Sequence, residues 1–185
     1  MTENELSQIL QGCRDRKQAS QYRLYSQFYN YAMSIARRYV NAVYESEEIV
    51  NDAFFKVFTK IEQYSYENSF KAWLRRIVVN TSIDYIRAQK RLPQISDLEH
   101  FEFETAELEA DLIAAMTKTE VLGLVSQLPP AYRTVFNMYV VDELSHDEIA
   151  VLLGISVGTS KSNLARARQH LKRIIIEHEG KIKYT

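Results

Sequence analysis

Residues 145–173 read SHDEIAVLLGISVGTSKSNLARARQHLKR, and this stretch carries the strongest local signal in the chain. Ser145 and Glu148 have the Ser-x-x-Glu spacing of a capping box, which begins a short helix. We expect Gly154 to end that helix in a left-handed conformation and Ser156 to cap a longer one. Two helices joined by a tight turn predict a helix-turn-helix motif, whose second helix lies in the major groove of DNA.

Charge along the second helix favours a nucleic-acid partner. Residues 149–176 contain five Lys or Arg side chains and no Asp or Glu. The helix begins with the small residues 156–160, which allow a close approach to DNA, and Lys161, Ser162 and Arg166 follow them. The alternative is an ordinary helical hairpin with a solvated basic face, because spacing alone also selects such hairpins.

The spacing of apolar residues predicts further helices upstream. Residues 4–13 form a short one. Steps of 3 and 4 residues then predict a long helix whose buried stripe consists of Tyr22, Tyr25, Tyr29, Ala32, Ala36, Tyr39 and Val43. Ser46 is expected to cap the next helix, with Glu47 and Glu48 in its first turn. After a loop at residues 63–68, another helix begins at Phe70 and ends near Pro93.

A second basic segment lies in the helix that begins at Phe70. Residues 70–92 contain six Lys or Arg side chains and one acid, Asp84. Tyr64 and Tyr66 lie in the preceding loop, where exposed rings stack on unpaired bases. Trp73 fits the apolar spacing of the helix, so we expect it to pack in the core.

Residues 47–56 predict a surface of a different kind. Phe55 lies off the apolar stripe and has polar neighbours, a pattern typical of a protein interface. An ordinary solvated helix face accounts for the same spacing equally well.

An acidic stretch separates the two helical blocks. Residues 94–111 contain seven Asp or Glu side chains and no Lys or Arg, which is typical of a solvated spacer; a specific role for the acids is the alternative. Beyond it, Pro130 is expected in the first turn of a helix whose apolar face extends to Val140. The sequence thus predicts an all-α fold with two small helical domains, residues 1–93 and 115–185, joined by an acidic flexible linker at 94–114.

Composition narrows the function classes. The 185 residues have a net charge of −1, which taken alone argues against a nucleic-acid partner. Cys13 is the only cysteine, and the histidines lack metal-ligand spacing, so no metal is expected. No phosphate loop or nucleophile motif is present, so we expect neither an enzyme nor a cofactor. The lack of an apolar run near ~20 residues and of a signal peptide predicts no membrane insertion and a cytoplasmic location.

Three groups of residues resemble motifs of the extracytoplasmic-function (ECF) sigma factors. SEEIVNDAFFKVF (46–58) resembles the polymerase-binding segment of sigma region 2, and FKAWLRRIVVNTSIDYIR (70–87) resembles its promoter-melting helix. Region 4 is matched by LPPAYRTVF (128–136), SHDEIA (145–150) and GISVGTSKS (154–162). The resemblance implies a bacterial sigma factor that binds core RNA polymerase, recognises −10 and −35 promoter elements and promotes DNA melting. Its implied partners are the clamp helices of the largest polymerase subunit, the flap of the second largest, promoter DNA and an anti-sigma factor.

The same resemblance implies roles for individual residues. Polymerase binding falls on Glu48, Asn51, Asp52 and Phe55. Contacts with the −10 element, including a loop at 64–69 that captures a flipped base, fall on Tyr64, Asn68, Ser69, Lys71, Arg76, Asn80, Asp84 and Arg87. Contacts with the −35 element fall on Thr159, Lys161, Ser162, Ala165 and Arg166, with Arg168 and Lys172 better placed for phosphates.

Two other classes of protein remain open at this point. One is a helix-turn-helix regulator that binds duplex DNA without polymerase, and the other is a helical protein-interaction module with solvated basic faces. The segment 47–56 separates the first from a sigma factor, because a regulator that acts alone needs no such surface. The sequence also has His146 where many ECF members have Tyr, and Asn163 where Arg is frequent, so the resemblance implies no particular promoter sequence.

Overall fold

The computed structural model describes residues 2–67, 69–89 and 118–182. These residues form helices and no strand, which confirms the all-α prediction. The chain divides near Ala88 into two compact units, which we call the N-terminal and the C-terminal unit. The predicted domain boundaries and the acidic linker fall within residues 90–117, outside the described residues, and stay predictions.

The N-terminal unit contains four α-helices among its described residues. They are α1 (Glu3–Arg14), α2 (Gln18–Ala36), α3 (Val43–Thr59) and α4 (Phe70–Ala88), with a 3₁₀ turn at Ile61–Gln63. Helix α3 packs against both α2 and α4, and α1 packs against α2. Burial of side chains such as Leu24, Ile49, Phe54 and Leu74 forms the core and leaves the outer faces of α3 and α4 for other contacts.

The predicted buried stripe of the second helix is right in part: Ala32, Ala36 and Tyr39 are buried, but Tyr22, Tyr25, Tyr29 and Val43 are not. Helix α2 ends at Ala36, and its buried stripe is aliphatic and aromatic: Leu24, Phe28, Ala32, Ile35 and Ala36. Tyr22 is 72% exposed, whereas Tyr25 and Tyr29 are half-buried at the flank of the stripe. The observed stripe shares Ala32 and Ala36 with the predicted one and differs from it nearer the N-terminus, where Leu24 and Phe28 take the buried positions.

The predicted cap of α3 is also wrong. The helix begins at Val43, one turn earlier than expected, and Ala42 is its N-cap without a side-chain hydrogen bond. Ser46 is fully buried inside the helix, and its hydroxyl donates to the carbonyl of Ala42 at 3.1 Å. Serine within a helix often bonds in this way to the carbonyl four residues earlier, so its presence did not mark a helix start.

The C-terminal unit contains α5 (Lys118–Val125), α6 (Pro130–Phe136), α7 (His146–Leu153) and α8 (Val157–Ile182) among its described residues. Pro130 lies in the first turn of α6, as predicted. The expected continuation of α6 to Val140 is instead a π-helical turn, Asn137–Val141, with Tyr139 and Val140 exposed. Helix α8 packs against α5, α6 and α7 and forms the spine of this unit.

The turn between α7 and α8 follows the sequence prediction closely. The Ser145 hydroxyl accepts from the Glu148 amide at 3.3 Å, and the Glu148 carboxylate accepts from the Ser145 amide at 2.8 Å, which completes the capping box. Gly154 ends α7 with φ +66°. The Ser156 hydroxyl then accepts from the Thr159 amide at 2.9 Å and caps α8. These caps fix α7 and α8 as a helix-turn-helix.

Candidate functional site

Helix α8 presents its predicted DNA-contacting residues away from its buried face. Ser160, Leu164, Ala167 and Leu171 are buried. The predicted readers lie on the remaining surface, with Lys161 exposed and the others half-buried: Thr159, Ser162, Ala165, Arg166, Arg168 and Lys172. Asn163 is buried, so this position does not contribute to the exposed surface of the helix. The arrangement offers cations and hydroxyl groups from one helix, and all of these residues except Lys172 lie in its N-terminal half, as a recognition helix requires.

His146 connects the first helix of the motif to the second. Its Nδ1 lies 2.9 Å from the hydroxyl oxygen of the buried Ser160, and its ring stacks on Tyr139 with centroids 4.5 Å apart. Burial lowers the pKa of His146 below its usual value, and the nearby charges of Lys161 and Arg168 lower it further. A neutral imidazole therefore holds the start of α8 against α7.

The outer face of α4 carries the predicted −10 residues. Arg76, Asn80, Asp84 and Arg87 are all exposed, and their spacing places them on one side of the helix. Lys71 is exposed in the first turn of the helix, with its Nζ 5.8 Å from the centroid of the Tyr31 ring. Asp84 forms an exposed ion pair with Lys56 at 3.0 Å, which joins this face to α3.

The loop before α4 differs from the expectation at Tyr64. This ring is 6% exposed rather than open to solvent, and it packs 5.3 Å from Trp73 and 5.6 Å from Phe70. Trp73 is half-buried in that cluster, in agreement with its predicted packing role. Tyr66 is the aromatic side chain that the loop exposes, with half of its surface accessible. Tyr64 directly follows the 3₁₀ turn, and its ring packs inward against Phe70 and Trp73, long-range contacts that the local sequence pattern does not encode.

Two further residues of the loop were predicted to contact the −10 element. Ser69 is exposed immediately before α4. Asn68, also predicted to contact the −10 element, lies outside the described residues.

The outer face of α3 carries the predicted polymerase-binding residues. Glu48, Asn51 and Asp52 are exposed, and Phe55 is 70% exposed one turn further on. This face therefore combines one accessible aromatic ring with two carboxylates and an amide.

Sequence reasoning missed the residues that support this face. The Tyr25 hydroxyl donates to Asn51 Oδ1 at 2.9 Å, and the Tyr29 hydroxyl lies 3.4 Å from Glu47 Oε1. Burial raises the pKa of Tyr25, and the Glu47 carboxylate raises it further, so the phenol keeps its proton and its donor role. The regular spacing of the tyrosines was the signal, but it marked a supporting row beside α3 instead of a core.

The described residues give no sign of a metal site or a membrane span. No group of three or more His, Cys, Asp or Glu side chains in the described part of the chain is placed to hold a metal ion. Among the helices with described residues, none is long and apolar enough to cross a membrane.

The fold defines an all-α protein with a helix-turn-helix in one unit and a second helical unit whose exposed faces carry basic and acidic side chains. Residues 24–92 match the family model of sigma-70 region 2, and residues 118–171 match that of sigma-70 region 4. The ECF RNA polymerase sigma factor SigW of Bacillus subtilis is 32% identical over 147 residues, which are 74% of this chain and 78% of that protein. The chain therefore belongs to the ECF family of RNA polymerase sigma factors, which recognise promoters.

The chain is also similar to another curated protein and to two solved structures. The ECF RNA polymerase sigma-E factor of Escherichia coli K12 is 30% identical over 146 residues, which are 74% of this chain and 76% of that protein. Among solved structures, CnrH in complex with the cytosolic domain of CnrY has a TM-score of 0.47 and 22% identity, over 93% of this chain and 95% of that one. The sigma factor RpoE in complex with the anti-sigma factor NepR from Bartonella quintana has a TM-score of 0.49 and 20% identity, over 83% of this chain and 95% of that one.

Proposed function

We propose that this sigma factor binds core RNA polymerase through the outer face of α3, recognises the −10 and −35 elements through α4 and α8, and promotes DNA melting through the loop at 64–69. The observation that carries the proposal is the exposed Phe55 beside Glu48, Asn51 and Asp52. A regulator that binds duplex DNA alone has no use for this surface. The clamp helices of the largest polymerase subunit are the proposed contact.

Recognition of the −35 element rests on α8. Arg166 and Lys161 supply long donors near the start of the helix, which suits contacts with base edges in the major groove. Arg168 and Lys172, further along the helix, suit phosphates, and contacts of this kind make binding fall with salt. The flap of the second-largest polymerase subunit is the proposed protein partner of this unit.

Melting rests on α4 and its preceding loop. The exposed cations Arg76 and Arg87 face the DNA backbone in the proposal, while an unpaired base enters the loop. Extrusion of a base costs a few kcal/mol, which contacts in the loop offset. The sigma factor itself makes and breaks no bond, since the polymerase performs the chemistry.

Two further statements follow from this proposal. Core polymerase and promoter DNA lie in the bacterial cytoplasm, so the proposed function requires the chain there. A cognate anti-sigma factor is a further proposed partner, which the resemblance to the family implies.

Run-off transcription with bacterial core polymerase and a promoter library tests the proposal. The wild-type chain should select templates that share two spaced elements. Asp52→Lys with Phe55→Ala should abolish co-purification with core polymerase and leave the C-terminal unit folded. The matched control is Glu3→Lys with Tyr22→Ala, which likewise exchanges an acid for lysine and an aromatic ring for alanine at exposed positions on α1 and α2. Unchanged co-purification of the Asp52/Phe55 variant would rule out the proposed surface.

A further inference from the structure

The guanidinium group of Arg14, at the end of α1, contacts the loop that precedes α4. Its Nη2 donates to the carbonyl oxygen of Tyr64 at 2.9 Å. Its Cζ lies 4.8 Å from the centroid of the Tyr66 ring, within the range of a cation–π contact. Its Nε is 4.0 Å from a carboxylate oxygen of Glu62, an ion pair at the limit of contact. One side chain thus touches three residues of the segment 62–66.

This contact joins distant parts of the chain. Arg14 and Tyr64 are 50 residues apart in sequence, and α1 lies before the region that matches sigma-70 region 2. The Arg14 side chain is only 20% exposed, so its guanidinium is held against the loop rather than extended into solvent. The guanidinium group of Arg14 is therefore bound to the loop that is proposed to capture a base.

Tyr66 is held on one side and open on another. Its ring meets the ring of Tyr64 edge-on, with centroids 5.4 Å apart, and Tyr64 is in turn fixed by Phe70 and Trp73. Half of the Tyr66 surface is nevertheless exposed. A ring with fixed neighbours and an open surface is suited to stack on a flat ligand without a large ordering cost.

We infer that Tyr66 is the stacking residue for an unpaired base and that Arg14 is its positioning residue, an inference that rests on the proposed function. The planar guanidinium lies over the ring and donates to the Tyr64 carbonyl at the same time. A lysine ammonium keeps the charge but cannot reproduce this combined geometry. Helix α1 therefore takes part in promoter opening through one side chain.

A protein–DNA mutant cycle tests the inference. Holoenzyme is titrated with the non-template strand of a promoter that it opens in the run-off assay, with each −10 base in turn replaced by an abasic site. Tyr66→Ala should weaken binding by about 5- to 150-fold, the range measured for the loss of one base stack. Arg14→Ala should weaken it by about 2- to 5-fold, as expected for a lost cation–π contact.

The strands with an abasic site distinguish a positioning role of Arg14 from a general effect of its loss on protein stability. At one position the abasic strand should bind the wild type, Tyr66→Ala and Arg14→Ala equally, because the stacked base is already absent. Tyr66→Phe should keep wild-type affinity, and Arg14→Lys should fall between wild type and Arg14→Ala. Tyr22→Ala and Arg37→Ala remove an exposed ring and an exposed cation elsewhere in the unit and should have no position-specific effect.

Three results would count against the inference. Full affinity of Tyr66→Ala at every position removes the stacking role. A loss in Arg14→Ala that is the same at all abasic positions assigns Arg14 a purely structural role. If wild-type holoenzyme opens no promoter at all, the proposed function fails and this inference fails with it, which is a distinct outcome because no variant is needed to see it.

Discussion

The Tyr25 hydroxyl contributes one hydrogen bond to the proposed polymerase-binding face. It donates to Asn51 Oδ1 at 2.9 Å and so fixes the amide on the proposed polymerase-binding face. Tyr25→Phe removes only this hydroxyl and should weaken binding to core polymerase by about 2- to 10-fold, the scale of one net hydrogen bond. The measurement is a titration of labelled core polymerase.

Tyr29→Phe is the matched control for that change. Its hydroxyl lies 3.4 Å from Glu47, at the edge of hydrogen-bond range, so its loss should alter the affinity little. Equal affinities of Tyr25→Phe and the wild type would show that Asn51 needs no support from α2.

His146 and His170 should make the C-terminal unit sensitive to acid. Burial is the main cause that lowers the pKa values of both histidines from 6.5. The charge of Lys161 lowers the pKa of His146 further, and Asp147 opposes this effect. The charge of Arg173 lowers the pKa of His170 further. The unfolded chain therefore binds protons before the folded chain does as the pH falls. Stability is complete above the unfolded pKa and is lost as the pH drops through about 6.5 towards the folded values.

Thermal unfolding between about pH 7.5 and pH 5.5 measures this loss, because carboxylates titrate mostly below that window. His146→Gln and His170→Gln should each flatten the dependence of Tm on pH, and the double variant should be the flattest. A double variant that keeps the wild-type slope would assign the pH dependence to other groups.

Arg166 and Lys172 should differ in how their loss affects DNA binding. Arg166→Ala is expected to weaken −35 binding by about 1–3 kcal/mol and to relax the preference at one base pair. Lys172→Ala should weaken binding to all sequences alike and reduce the salt slope by about 1. Competition titrations at several salt concentrations distinguish the two, and equal effects on specificity would contradict the assignment of Arg166 to a base.

At the scale of the element, the turn between α7 and α8 depends on one glycine. Gly154 has φ +66°, and a side chain in this conformation costs about 1–2 kcal/mol. Gly154→Ala should therefore lower the stability of the C-terminal unit by about that amount. Hydrogen exchange of the buried amides of α8 measures the change within this unit.

Gly158 provides the control because it lies nearby, in the first turn of α8. A Cβ added there meets the Ser156 hydroxyl oxygen at 3.6 Å, an ordinary contact, and no positive φ is required. Gly158→Ala should leave stability unchanged or raise it slightly, since alanine favours helix. Equal losses in the two variants would show that the turn does not depend on a left-handed residue.

These elements also show which features a sequence can predict. The caps at Ser145, Gly154 and Ser156 were predicted because each joins atoms within about one helical turn. The core of α2 was predicted only at Ala32 and Ala36, because its tyrosine and aliphatic stripes have the same spacing and only the packing partner decides between them. The role of Arg14 lay beyond prediction, since its contact spans 50 residues and an arginine at a helix end ordinarily stabilises the dipole.

At the scale of the whole molecule, the net charge of −1 conceals a strong separation of charge. Residues 149–176 carry five cations without an acid, residues 70–92 carry a net charge of +5, and residues 94–111 carry seven acids without a cation. The acidic stretch lies outside the described residues. Acids tethered between two basic segments should compete with DNA phosphates for them in the absence of polymerase.

Neutralisation of the acidic stretch tests this competition. Exchange of its seven Asp and Glu residues for Asn and Gln should tighten binding of the free sigma factor to random duplex DNA. The gain should shrink as salt rises, because the screening length falls to about 8 Å at physiological ionic strength. A chain with residues 94–111 shuffled is the control, since it keeps the charge and should bind as weakly as the wild type. If the neutralised and shuffled chains bind alike, the acids do not limit DNA binding and the near-neutral total charge has no such role.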